Sequence, residues 1–274
     1  MTSQQLVTTA VPEACIGPGR PGLWLPAATL WWRELVRFYR QPSRVVGTVG
    51  TPLLFWLLIG AGFGNSFRGL AMPMNYLEYF FPGTVLLVVL FTSIFSNMSV
   101  IEDRHEGFLL SVLVAPISRG AVVMGKVLGG TTLAMVQGVI YLALAPLLGI
   151  RIGPGQALEV IGILFLISLA LAALGFYCAW RVDSSQGFHG VMNLLLMPMW
   201  MLSGALFPLS GAHPGVGWVM RANPLTYGLA ALLGVLYHPP PADAPSLAVS
   251  VGVIAGFGLL AFAAGWREVG RSTA

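Results

Sequence analysis

The stretch Gly120-Ala-Val-Val-Met-Gly-Lys126 reads G-x-x-x-x-G-K, the opening of a phosphate-binding loop. In a working loop the backbone amides cradle phosphate, the lysine reaches the terminal phosphates, and a serine or threonine after it ligates magnesium. Here Val127 holds that last place, and the preceding LVAPISR contains a proline and no convincing strand. Nucleotide chemistry is therefore not expected here, and any ATP hydrolysis belongs to another subunit. Lys126 sits at the lip of an apolar run, where a lysine extending its ammonium towards the interface is the ordinary reading. His105-Glu106 begins like the zinc motif H-E-x-x-H, but Leu109 stands where the second histidine belongs, so no metal site is expected. Ser203, Ser210, His213 and His238 are the residue types of a serine hydrolase. Neither serine lies in a G-x-S-x-G setting, and both histidines fall near chain breaks, which favours structural or interfacial roles. Glu78 and Glu159 sit at the ends of apolar runs, and no acid falls mid-run to suggest a proton relay.

The elements that must hold these residues are membrane helices. Of 274 residues, 56% are hydrophobic and 9% charged, with mean hydropathy +0.81, whereas soluble domains carry about 25% charged residues. Cys15 and Cys178 lie in unlike contexts and suggest no disulfide framework, and the first 25 residues lack the apolar core of a signal peptide. Five apolar runs are long enough to span: Val45–Phe67, Tyr79–Ile101, Val127–Ile150, Val160–Trp180 and Ala244–Trp266. The run Ser184–Met220 as one helix would reach roughly 55 Å, nearly twice the hydrocarbon core, so it must turn. Pro198, Pro208, Gly211 and Pro214 supply breaks, giving a span near Phe188–Pro208 and then a segment that re-enters or lies along the outer leaflet. The expected fold is an all-α polytopic membrane protein with six transmembrane helices. Residues 1–25 form a disordered tail, 26–44 an amphipathic interfacial helix and 45–274 the six-span domain.

With a cytoplasmic N-terminus, the basic residues inside are Arg20, Arg33, Arg37, Arg40, Arg44, Arg104, Arg119, Lys126, Arg181, Arg267 and Arg271, against Arg68, Arg151 and Arg221 outside. That asymmetry places both termini in the cytoplasm and explains the net charge of +4 without nucleic-acid binding. In the amphipathic helix, Arg33, Arg37, Arg40 and Arg44 share one face. Trp31, Leu35 and Phe38 share another, and Trp32 adds a further indole for the lipid boundary. The arginines are expected to meet anionic headgroups of the bilayer.

Glu102-Asp103-Arg104-His105-Glu106-Gly107 is the densest ionisable cluster of the chain, and an apolar stretch, Phe108–Val114, follows it up to Pro116. That composition predicts a short amphipathic element docking at the membrane surface. EDRHEGFLLSVLVAPISRGAVVMGKVLGG resembles the cytoplasmic stretch and third-span entry of the type-two permeases of ATP-binding cassette (ABC) exporters. SGALFPLSG with ANPLTYGL is similar to that family's segment between the fifth and sixth spans, and WWRELVRFYRQP to its interfacial helix. Phe108 and Leu110 depart from the threonine and glutamate frequent there.

The resemblance implies that Glu102, Asp103, Arg104, His105 and Glu106 form a coupling helix seated on a separate ABC ATPase subunit, with Gly107 making the turn and Pro116 ending the element. ATP and magnesium would bind only to that partner, present in two copies. Gly125-x-x-x-Gly129 then becomes a small-residue face for close helix packing. A second permease copy or a paralogue would complete the path in a bacterial-type inner membrane, and the halves would rock about it. The absence of charge deep in the spans favours an amphiphilic, lipid-like or drug-like cargo, with Phe55, Trp56, Phe91, Phe95 and Trp200 as path-lining candidates. Aromatic residues of this kind also serve as packing and interfacial anchors. A polysaccharide exporter, a non-transporting sensor or assembly subunit, and a membrane-embedded enzyme stand as alternatives.

Overall fold

The structure, a computed structural model, describes residues 22–63, 76–115, 117–237 and 244–271. Among the described residues the chain is helical, without strands. The helices are α1 (Trp24–Tyr39), α2 (Pro42–Phe63), α3 (Tyr76–Phe95), α4 (Met98–His105), α5 (Phe108–Val114), α6 (Arg119–Leu142), α7 (Pro154–Arg181), α8 (Ser185–Trp200), α9 (Pro214–Ala222), α10 (Pro224–Leu236) and α11 (Leu247–Arg271). A π-helical turn, Met201–Ala205, follows α8, and 3-10 turns lie at Ala145–Leu148 and Leu209–Gly211.

Among the described residues four helices are long and apolar enough to cross a membrane: Tyr76–His105, in which α3 runs on into α4, then Arg119–Leu148, α7 and α11. The pair α9 and α10, bent by 85°, makes a fifth candidate if it is one span. Six were expected. The apolar part of α2 shrinks to Gly50–Gly60, and α8 has only 16 residues before the π turn interrupts it. Pro42 begins α2, where its missing N–H costs nothing, so the chain breaks at Arg40–Gln41 rather than after Arg44.

Helix α3 is apolar on every face and lies at the centre of the bundle, with Phe80, Phe81, Leu86, Val88, Val89 and Leu90 fully enclosed. It packs against α2, α6, α7 and α8, and α7 against α11. Pro82 lies inside α3 and cannot bond back to the Glu78 carbonyl. That oxygen instead accepts a 2.6 Å hydrogen bond from the Tyr237 hydroxyl. The outward faces carry Leu158, Leu194, Leu259 and Leu260, which suit lipid rather than water.

The chain turns at Gly204, with φ of +96°, ahead of Pro208 where the span was expected to end, while Pro198, one of the expected breaks, stays inside α8. Backbone carbonyls exposed by this turn find side-chain donors. The Tyr79 hydroxyl reaches Gly204 O at 2.7 Å, and Asn223 Nδ2 reaches Met199 O at 2.6 Å. Asn223 Oδ1 also accepts from the Leu225 amide, starting α10 at Pro224. Helix α10 was not anticipated. Its signal, an Asn cap followed by Pro at the first helical position, is present in Asn223-Pro224.

Candidate functional site

Each landmark of the G-x-x-x-x-G-K stretch has a packing role. A Cβ on Gly120 would lie 2.1 Å from the Trp266 ring of α11. One on Gly125 would lie 2.7 Å from Leu30 Cβ and 2.9 Å from the Ala27 carbonyl, and one on Gly129 would lie 2.8 Å from Glu34 Cβ. Gly125 and Gly129 therefore form the groove in which α1 lies against α6. Trp31 Nε1 ties the two helices with a 3.0 Å bond to Thr132 Oγ1. The start of α6 is capped by Ser118, whose Oγ accepts from the Ala121 amide.

Lys126 is not extended towards an interface as expected. It is 3% exposed, and Nζ donates to Glu34 Oε1 of α1 at 2.6 Å, to Ser99 Oγ of α4 at 3.0 Å, and to Asp103 Oδ2. Asp103 has no exposed surface and collects three cations. Arg33 grips it with two bonds of 2.8 and 2.7 Å, and Arg37 Nη1 reaches Oδ1 at 2.8 Å. Arg37 also pairs with Glu102 at 2.9 Å, and Glu106 stands 3.5 Å away at the rim. Hydrogen bonding to Asp103 raises the pKa of Arg33 above its already basic value, so this guanidinium keeps its charge. Buried ions are tolerated when paired and hydrogen-bonded, and here three cations meet Glu34, Asp103 and Glu102. Arg33 and Arg37 thus have carboxylate partners within the chain where headgroups were expected. Tertiary packing turned the arginine face of α1 towards the acidic face of α4.

The remaining members of the 102–107 cluster divide by role. Arg104 donates to the Trp180 carbonyl at 2.6 Å and pairs with Asp183 at 2.9 Å, and His105 Nε2 lies 2.7 Å from the Asp183 carbonyl. Both tie α4 to the C-terminal end of α7, where a cation complements the helix dipole. Gly107 takes φ of +75° and starts α5. On α5, Phe108 lies under the Arg33 guanidinium at 3.8 Å, while Leu110 and Val114 are 65% and 86% exposed. Asp103 is enclosed and offers no docking contact. The accessible groups are His105, the Glu106 carboxylate and the outer face of α5. Pro116 lies outside the described residues. Trp32 and Arg40 are exposed on α1.

A cavity of about 420 Å³ lies where α2 and α8 both lean on α3. Phe55, Phe91, Phe95 and Trp200 line it, with Phe38 from the end of α1. Trp56, grouped with them from sequence, is buried elsewhere. Its ring meets Phe81 edge-on, and Nε1 donates to the Leu77 carbonyl at 3.2 Å. Two wall hydroxyls are turned away: Thr92 donates to Gln137 Oε1 and Ser96 to the Ser93 carbonyl. His189, which the sequence reading passed over, also lines the cavity.

Of the hydrolase residue types, Ser203 and His213 are each engaged locally. Ser203 Oγ donates to the Trp200 carbonyl at 2.6 Å, and His213 Nδ1 caps α9 by accepting from the Gly215 amide. The Ser210 side chain and His238 lie outside the described residues.

The chain is 25% identical over 227 residues to the daunorubicin resistance ABC transporter permease protein DrrB1 of Streptomyces coeruleorubidus, covering 78% of this chain and 76% of that one. It is 28% identical over 209 residues to the putative transport permease ycf38 of Cyanophora paradoxa, covering 75% and 72%. To the inner membrane transport permease YadH of Escherichia coli K12 it is 24% identical over 214 residues, covering 74% and 80%. The family profile described as ABC-2 type transporter matches residues 27–237, from α1 through the end of α10. With its apolar helices and this match over most of its length, the chain belongs, as a membrane-embedded permease, to the ABC-2 type transporter family.

Proposed function

We propose that the chain is the permease half of an ATP-driven exporter that moves aromatic, amphiphilic compounds out of the cytoplasm or inner leaflet. The observation that carries this reading is the cavity between α2, α3 and α8, walled by Phe38, Phe55, Phe91, Phe95 and Trp200. Its volume falls within the usual range of small-molecule pockets, roughly 300–1,000 Å³. Relatives named for daunorubicin and doxorubicin resistance support a drug-like cargo. A polysaccharide is the weaker reading, because hydroxyl-rich cargo needs many hydrogen-bonding groups and two of the few in this wall face inward.

Energy would come from a separate ATPase subunit, which binds ATP and magnesium and docks on α5 and Glu106. Motion there has a short mechanical line to the cavity. Phe108 lies under Arg33, Asp103 binds Arg33 and Arg37, and the same helix ends with Phe38 in the cavity wall. Six spans follow if α2 and the α8–π segment cross. Ser185–Ala205 covers about 30 Å at the helical rise, enough for the hydrocarbon core. The bent α9–α10 pair then enters and leaves on the outer side, and both termini lie in the cytoplasm. Two copies, or a copy with a paralogue, would enclose the route in the inner membrane.

The test is purification from native membranes in mild detergent, with the eluate assayed for vanadate-sensitive ATPase. A stoichiometric ATPase is expected with the wild type and should be lost with Leu110→Glu/Val114→Glu at unchanged thermal stability. Recovery of the permease without any ATPase, from membranes where other such complexes survive, would overturn the reading.

A further inference from the structure

The cavity wall is apolar and aromatic except at a few points, and one of them can change charge. His189 stacks on Phe95 with ring centroids 4.6 Å apart and planes 27° apart. Among the described residues no other lining side chain ionises. Among the described residues nothing bonds to its ring nitrogens, so they are available to a ligand.

Charged groups on the surrounding elements are engaged elsewhere or distant. On α4, Glu102 pairs with Arg37, Asp103 with Arg33, Arg37 and Lys126, and Arg104 and His105 meet residue 183. On α1, Glu34 binds Lys126, and Arg40 is exposed at the helix end. Glu78 sits at the far end of α3, and α8 has no second ionisable side chain. The described side chains of α2 include no ionisable group, and the Arg44 side chain lies outside them.

We propose that His189 sets the charge preference of this cavity: aromatic cations bind while the imidazole is neutral and are expelled when it is protonated. The inference rests on the cargo reading above and adds the ligand class. Aromatic faces attract cations, most strongly where water is excluded. Five aromatic residues line this wall and no carboxylate does, so a bound cation has ring faces for stabilisation and no fixed counter-charge. A neutral imidazole nitrogen accepts a hydrogen bond from cargo bearing an ammonium group. His189 is exposed, so an imidazolium there places a like charge beside any cation on those rings, a repulsion that solvent reduces and does not abolish. Imidazole is the side chain that changes charge between pH 5 and 8, which makes acidity the control variable.

The experiment uses the full chain in lipid nanodiscs and two tritiated probes of closely similar shape, tetraphenylphosphonium, a fixed cation, and uncharged tetraphenylsilane. Binding is read by scintillation proximity with empty nanodiscs subtracted. Tetraphenylphosphonium is expected to bind about tenfold more weakly near pH 5.5 than near pH 8, with the neutral probe changing less than about twofold. His189→Phe keeps the ring stack and should remove the pH dependence, as should His189→Gln. His189→Arg should bind the cation weakly at both pH values. A pH dependence that persists in the Phe and Gln variants, or cation binding in wild type that ignores pH, would overturn the role of His189 and leave the cavity reading intact. Binding of neither probe by the wild type would overturn the cavity reading and this inference together.

Discussion

Lys126 carries the sharpest contrast between a residue's sequence context and its place in the fold. It was read as an interfacial lysine in a false phosphate loop, and it lies buried between Glu34 and Asp103. Removing it takes Glu34 off its 2.6 Å partner and leaves Asp103 one cation short, and breaking a buried pair costs about 3–5 kcal/mol. Lys126→Met is therefore expected to lower the thermal unfolding temperature in detergent markedly. Adding Glu34→Gln to Lys126→Met should recover part of that loss, because the two changes act on one interaction. Strictly additive effects of the two substitutions would sink the network account. The sequence supplied the charges at 33, 37, 102, 103 and 126, but residues 23 to 92 positions apart met only through the packing of α1, α4 and α6.

At the scale of elements, α1 stays against α6 because two glycines remove the side chains that would hold it away. Gly125→Leu forces atoms into a space where even a Cβ would sit 2.7 Å from Leu30 Cβ. Overpacking of this kind costs about 1–3 kcal/mol, and here it also parts the arginines of α1 from Asp103. Limited proteolysis should then cut within Trp24–Tyr39 several-fold faster than in the wild type. Gly62→Leu, at a position with open space around its Cα, serves as the control and should not change the cleavage rate. The spacing Gly125-x-x-x-Gly129 was legible as a close-packing face, but not which helix would fill it. Helix α10 escaped detection for a different reason: its 13 apolar residues are too few to span, and its placement depends on α3, α7 and α11.

For the whole molecule, the open question of topology becomes a labelling prediction. Single cysteines at Gly215 in α9 and at Arg267 in α11, in a background without Cys15 and Cys178, should react with a membrane-impermeant maleimide from opposite sides of intact cells. Gly215→Cys should react from outside, and Arg267→Cys only after permeabilisation. Labelling of both from outside would refute six spans with a re-entrant α9–α10 pair.

By itself the sequence determined the solvent and the class. Its 9% charge and long apolar runs require a membrane and therefore helices, and most of its basic residues fall in the segments that flank those runs. It also contained the aromatic residues of the cavity and the turn glycine at 107, since residue type and local spacing are properties of the chain. Tertiary structure decided which charges meet, that Trp56 leaves the cavity wall while His189 joins it, and that the chain turns at Gly204, ahead of Pro208. Those outcomes turn on which helix faces are opposed. Opposition is set by contacts between residues far apart in the chain, and no local pattern encodes it.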